Sequence, residues 1–183
     1  ELMGMAALGL DHVLAITGDP AKVGDAPEAS SVYDLNSISL IELIAKFNQG
    51  FMQSGRQLKR TTRFVIGCSF NPNVKNIDVQ VKRLERKLKA GAQYVMTQPI
   101  YDLAKAKETY EATKHFGVPI LVGVMPLLNA RNCEFLHNEV PGIEIPQPIR
   151  DRMRGKEGPE GLAEGTAVAR EVTTEILSHF NGI

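Results

Sequence analysis

The stretch His12-Val13-Leu14-Ala15-Ile16-Thr17-Gly18-Asp19-Pro20 reads as a short apolar strand that ends in a carboxylate, with proline stopping the strand just beyond. A second run, Tyr94-Val95-Met96-Thr97, ends the same way in Gln98-Pro99. Two strands that each deliver a polar group at the carboxyl end describe the mouth of a parallel α/β barrel or sheet, where such folds carry their chemistry. Asp19 and Gln98 are therefore expected at neighbouring strand tips, facing one cleft.

Working outward, four helix-like segments end in glycine shortly before an apolar run: Leu8-Gly9 before Val13, Ala90-Gly91 before Tyr94, Phe116-Gly117 before Ile120, and Asn181-Gly182 before Ile183. Glycine supplies the left-handed residue that terminates a helix, and the apolar run after it suits a strand covered on both faces. A further strand is read at Arg63-Phe64-Val65-Ile66-Gly67-Cys68. Helical periodicity covers residues 38–53, with Ile41, Ile44, Ala45 and Phe51 on one stripe, and recurs over 78–89, 103–115 and 129–137. The alternation predicts an α/β chain of βα repeats. Residues 21–31, rich in Gly, Pro, Ala and Ser, read as a loop on the same face as Asp19.

The chain opens inside a helical pattern and stops at Gly182-Ile183, where the repeat expects another strand. It thus reads as one domain, residues 1–183, forming about half of a (β/α)8 barrel truncated at both ends. A half barrel leaves its inward side chains without the opposite wall. Losing burial of roughly eight of them at about 1.5–3 kcal/mol each would exceed the usual net stability of about 5–15 kcal/mol. The expectation is a chain that folds with further segments, a swapped partner or altered packing, in a homo-oligomer or swapped dimer.

At 183 residues, 43% hydrophobic, with 21 basic and 21 acidic residues, the composition is that of an ordinary globular sequence. Zero formal net charge and few aromatics give no footprint for nucleic acid or an anionic membrane. Cys68 and Cys133 lie far apart without a paired motif, so disulfide and zinc readings lack support and both read as small buried hydrophobes. The start lacks a signal-peptide pattern, and no apolar run reaches the roughly 20 residues of a membrane span. The expected location is cytoplasmic. His12, His115, His137 and His179 lack ligand spacing, so no metal is expected.

Five segments carry a family resemblance: Val13 to Pro20, Val32-Tyr33-Asp34-Leu35-Asn36-Ser37, Phe70-Asn71-Pro72-Asn73, Ala90 to Pro99, and Gly123-Val124-Met125-Pro126-Leu127. Read together and in order, they resemble methylenetetrahydrofolate reductase. Thr17, with Ala130-Arg131-Asn132 and Asn138-Glu139-Val140-Pro141-Gly142, is most similar to the reductase half of bifunctional proteins joined to homocysteine S-methyltransferase. The resemblance implies a flavin-containing (β/α)8 barrel of which this chain supplies strands four to seven. It also implies a place in one-carbon metabolism and methionine biosynthesis.

The resemblance assigns roles residue by residue. Gly-Asp-Pro alone equally describes a turn cap; in the family the carboxylate matching Asp19 lies beside flavin and folate, where it promotes hydride donation and meets the pterin. Gln98 could satisfy strand-end backbone groups, but a carboxamide both donates and accepts, which suits a pterin edge, and the family uses the matching glutamine for folate. Asn132 is a further folate candidate beside the plain reading of an exposed helix residue. Lys82, Arg83, Arg86, Lys87 and Lys89 would by composition be a solvated helix face. The family match instead implies that Arg83, Arg86 and Lys87 hold the diphosphate and ribose end of FAD. Thr17, Gly18, Asp19, Tyr33 and Asn71 complete the implied cofactor contacts. Many members carry Arg where this chain has Thr17, which removes one cationic contact.

The implied reaction passes a hydride from NADH or NADPH through FAD to 5,10-methylenetetrahydrofolate, giving 5-methyltetrahydrofolate. Ring opening needs a general acid, which the family carries as a glutamate on the first barrel strand, outside this sequence. The chain alone is therefore expected to be inactive and to bind FAD weakly. Two other readings stand beside this one: a non-catalytic half-barrel association module, and a different flavin barrel resembling proline dehydrogenase.

Overall fold

The computed structural model describes every residue except Asp19 and Asn181. Four parallel strands alternate with helices in an α/β arrangement: β1 (His12–Ala15), β2 (Val65–Phe70), β3 (Tyr94–Pro99) and β4 (Ile120–Gly123). The helices are α1 (Leu2–Ala7), α2 (Ser37–Asn48), α3 (Ile77–Ala90), α4 (Leu103–Thr113), α5 (Ala130–Glu139), α6 (Gln147–Met153) and α7 (Gly158–Ile176), with short 3-10 turns at Ala21–Val23 and Lys114–Phe116. The chain divides into two compact units, Glu1–Ser69 with Leu84–Tyr94, and Phe70–Arg83 with Val95–Ile183.

In the first unit β1 runs parallel to β2, with Val13 opposite Ile66 and Ala15 opposite Cys68. Ala15, Ile66 and Cys68 are buried together with Ile41, Ile44 and Phe47 of α2 and Leu84 of α3. The apolar stripe expected on α2 holds at Ile41 and Ile44, but Phe51 lies beyond the helix and is exposed, and Phe47 is buried instead; Asn36 starts the helix by accepting from the backbone N–H groups of Ile38 and Ser39. The helix stops at Asn48, short of the expected residue 53, because Gly50 takes the left-handed conformation at φ +87 that ends it, and the Asn48 carboxamide reaches across to the segment before β2. It donates to the Phe64 carbonyl and accepts from Thr62 Oγ1 and the Phe64 N–H, each at 2.8 Å. These bonds align the approach to β2.

The second unit is built on β3 and β4, also parallel, with Val95 opposite Ile120 and Met96 opposite Leu121. Val95, Ile120 and Val122 are buried with Ala106 of α4, Cys133 and Leu136 of α5, Met153 of α6, and Val168, Val172 and Ile176 of α7. Helix α7 packs on α4 and α6. The helix-like segment expected before Gly182 is this one; α6 is an element the periodicity did not mark. Gly165 lets α7 approach the Leu127 carbonyl so closely that any Cβ there would collide with it. At the far end, Gly182 forms a parallel bridge to Leu121 and accepts from the Val122 N–H at 3.1 Å, in keeping with a strand position after Asn181.

Gly9, Gly91 and Gly117 all have positive φ, as helix termination by glycine requires. The expectation that strands are covered on both faces fails at β1 and β3, where Leu14 is 38% and Met96 40% exposed, whereas β2 and β4 carry no exposed residue.

Candidate functional site

The carboxyl end of β3 departs from regular pairing. Met96 is opposite Leu121, but Pro99 is opposite Gly123, so three steps on β3 face two on β4. Thr97-Gln98 is therefore a bulge, a device that turns a side chain out of the ladder and is common beside active sites. The Thr97 hydroxyl spans it, donating to the Gln98 carbonyl at 2.7 Å and accepting from the Gly123 N–H at 3.1 Å. Gly123 permits the close approach: a Cβ there would meet the Thr97 carbonyl oxygen at 2.7 Å and the Pro99 nitrogen at 3.0 Å. The outcome is an exposed Gln98 whose carboxamide has no hydrogen bond to another described residue. Tyr101 closes the same corner by donating to the Met125 carbonyl at 2.7 Å, which joins the segments following β3 and β4.

Next to this corner the Asn71-Pro72-Asn73 turn follows β2. Asn71 Oδ1 accepts from the Asn73 N–H at 2.9 Å. Asn73 Nδ2 donates to the carbonyls of both Pro99 and Gly142, each at 2.8 Å. Gly142 has φ +84, which favours glycine, and a Cβ there would also press on Asn71 Nδ2 at 2.9 Å, so the Asn71 side chain would have to shift. Asn132, half-buried in the first turn of α5, accepts from the Leu128 N–H at 3.1 Å, while its own N–H donates to Asn129 Oδ1 at 2.7 Å. Its side-chain carbonyl thus has one lone pair engaged, and its NH2 group has no hydrogen bond to another described residue.

In the first unit Thr17 follows β1 and is exposed, its Oγ1 accepting from the Ser37 N–H at 3.2 Å at the start of α2. Gly18 has φ +81, and apart from its chain neighbours no heavy atom of a described residue lies within 4 Å of where a Cβ would stand. Tyr33 is 50% exposed. Asp19 lies outside the described residues. On α3, Arg83 and Arg86 stand one turn apart, exposed and without an ion pair to a described residue. Lys87 is different. It is buried at 5% exposure and its Nζ donates to the Ser69 carbonyl at 2.6 Å and Ser69 Oγ at 3.2 Å. The basic run is therefore not one solvated face: a lysine two places from its end turns inward to the end of β2.

Burial pushes both thiols up to about 11, with Lys87 partly opposing the shift at Cys68 and Arg150 at Cys133. Burial also raises the Tyr101 phenol. These groups stay protonated near neutrality and act as packing and hydrogen-bonding elements. His137 Nδ1 accepts from the Ile145 N–H at 3.1 Å, a structural use of the side chain. Among the described residues no group of three His, Cys, Asp or Glu side chains could hold a metal ion, and no helix is long and apolar enough to cross a membrane.

Thr97, Asn73, Gly123 and Gly142 went unassigned in the sequence, since their importance depends on pairings between segments up to 69 residues apart. The only local sign was the second asparagine of Asn71-Pro72-Asn73, a residue type that readily bonds backbone groups around turns.

A model of the methylenetetrahydrofolate reductase family matches residues 1–180. A Schizosaccharomyces pombe protein described as methylenetetrahydrofolate reductase 1 is 26% identical over 179 residues, an alignment covering 93% of this chain and 27% of that protein. The chain thus spans about a quarter of the length of this relative. A solved structure from Clostridium thermocellum, described as an uncharacterized protein that binds two copies of 5-methyl-5,6,7,8-tetrahydrofolic acid, is similar at TM-score 0.50 and 23% identity. That likeness covers 63% of this chain and 42% of the other, and it speaks to fold.

Proposed function

The chain belongs to the methylenetetrahydrofolate reductase family, and on that premise we propose that the full-length protein reduces 5,10-methylenetetrahydrofolate to 5-methyltetrahydrofolate with NADH or NADPH through bound FAD on a (β/α)8 barrel. The observation that carries the reading is the Thr97-Gln98 bulge, which leaves a carboxamide exposed at a strand end with both its donor and its acceptor free of described partners. A pterin edge presents the complementary acceptors and donors. The folate named for the Clostridium thermocellum protein is consistent with that ligand class.

The residues also fit a flavin in part. Arg83 and Arg86 offer two guanidinium groups on one helix that have no ion pair to a described residue, suited to a diphosphate. At Gly18 the missing Cβ leaves open space for close backbone approach. Lys87 fits less well as a direct phosphate ligand, since its ammonium already bonds Ser69; its contribution in this reading is positive charge near the end of β2. When bound, FAD supplies a hydride carrier between the nicotinamide and the folate.

In this reading Gln98 orients the pterin, and Asn132, whose NH2 group has no described partner, donates to a carbonyl of the substrate. Thr17 Oγ1 accepts from the Ser37 N–H and keeps its own proton for donation to the cofactor. Asn71 supplies an amide and Tyr33 an exposed ring to the same ligand. The Asp19 carboxylate puts negative charge next to the hydride carrier, which favours hydride departure toward the folate. The proton for the departing ring nitrogen comes from outside the residues assigned here.

The test is the visible spectrum of the purified full-length protein, followed by anaerobic addition of NADH or NADPH and then substrate. We expect flavin bands that bleach with nucleotide and return with methylenetetrahydrofolate, and not with proline-derived substrates. Asp19→Asn should slow the folate step more than flavin bleaching. A colourless protein would favour the association module, and reoxidation by a proline-derived substrate would favour the other flavin barrel; either overturns the reading.

A further inference from the structure

The exposed Gln98 is only as useful as its position is fixed, and its own side chain does nothing to fix it. What holds the bulge is a set of bonds to backbone groups, and one side chain ties the residue just beyond it to a second segment. Asn73 spends both hydrogens of its amide, one on the carbonyl of Pro99, the residue directly after Gln98, and one on the carbonyl of Gly142, each at 2.8 Å. Its own N–H is held by Asn71 Oδ1, so the turn cannot swing away freely. Pro99 has no N–H to tie itself to a neighbour. Its carbonyl is therefore the handle by which this end of β3 is held from the β2 side, while Gly123 and Thr97 hold the bulge from the β4 side.

From this geometry, and resting on the folate reading above, we infer that Asn73 is a positioning residue for substrate recognition: it aims Gln98 at the folate by clamping the Pro99 carbonyl to the turn at Gly142. Asn73 acts on the folate through Gln98 and takes no part in nucleotide oxidation. The chemistry demands a side chain with two donors and a short stem. Aspartate keeps the shape but replaces both donors by acceptors facing two carbonyl oxygens, so it should be worse than alanine; serine keeps one donor and should fall between alanine and the native residue.

The experiment uses the flavin-loaded full-length enzyme with Asn73→Ala, Asn73→Asp, Asn73→Ser, Gln98→Ala and the Asn73→Ala/Gln98→Ala double variant. Flavin content and thermal denaturation are recorded for each, and the two half-reactions are measured separately. The expected result is a folate KM raised by about tenfold to a hundredfold in Asn73→Ala, the range that a misplacement of up to about 1 Å can cost. Flavin bleaching by the nucleotide should stay within about twofold of the native rate. In the Gln98→Ala background the added loss from Asn73→Ala should shrink to about twofold, since residues acting as a unit are not additive. Additive losses, equal losses in both half-reactions, or an Asn73→Asp enzyme with native folate KM would overturn the inference while leaving the folate reading intact. If Gln98→Ala itself leaves the folate half-reaction unchanged, the reading on which the inference rests fails, and the inference with it. Should Asn73→Ala not fold, Asn73→Ser against Gln98→Ala/Asn73→Ser makes the same comparison.

Discussion

Replacing Gly123 by alanine should separate β4 from the end of β3. A Cβ at this position would stand 2.7 Å from the Thr97 carbonyl oxygen, 3.0 Å from the Pro99 nitrogen and 3.1 Å from the Gln98 carbonyl carbon, where ordinary contact begins near 3.4 Å. All three are backbone atoms, so no side chain can rotate out of the way and the strands themselves must part by roughly 0.7 Å to restore ordinary contact. Overpacking of this kind costs about 1–3 kcal/mol. Parting the strands also weakens the Gly123 N–H to Thr97 Oγ1 bond, adding about 0.5–1.5 kcal/mol. The sum is about 3 kcal/mol, which for a chain of this size lowers Tm by about 6–12 °C. Reversible thermal unfolding followed by circular dichroism measures it. Gly117→Ala is the control, because Gly117 has φ +66 but no heavy atom within 4 Å of a Cβ; it should cost only the roughly 1–2 kcal/mol of left-handed backbone strain. A Gly123→Ala protein as stable as Gly117→Ala would refute the close approach and with it the origin of the bulge.

Three further outcomes follow from particular contacts. Asn48→Ala removes three hydrogen bonds and leaves the Phe64 N–H and carbonyl without their partner, so urea titration should show a loss of about 2–4 kcal/mol; a loss below about 0.5 kcal/mol would contradict the role given to Asn48. With both thiols buried and pushed up to about 11, the native protein at pH 8 should resist iodoacetamide and take up two labels only when unfolded, as read by mass spectrometry. Glu134 is held low chiefly by its bond to Arg150, Glu164 by Lys156 and then Arg152, and Glu171 by Arg152. Folded values below the unfolded ones mean stability that is present at neutral pH and lost as pH falls through the folded values. Denaturation midpoints should therefore drop with acid, less steeply in Arg152→Met.

The repeat of helix, glycine and apolar strand was legible because it is local: helix termination by glycine and the spacing of buried side chains depend on residues within a few positions of one another. The strands β1 to β4 and helices α1 to α5 were expected within a few residues, and the family motifs could be read directly. The inward turn of Lys87 could not be seen from a run of like charges, because it depends on Ser69, 18 residues away, offering two oxygens.

The chain's order of letters was enough for the α/β repeat, the family and the carboxamide at Gln98. How that carboxamide is presented was settled in three dimensions, by Gly123 admitting a bulge and Asn73 clamping Pro99 to Gly142. The physical reason is range: periodicity and termination are written in neighbouring residues, whereas a close backbone approach is a pairwise fact between segments that meet only after folding.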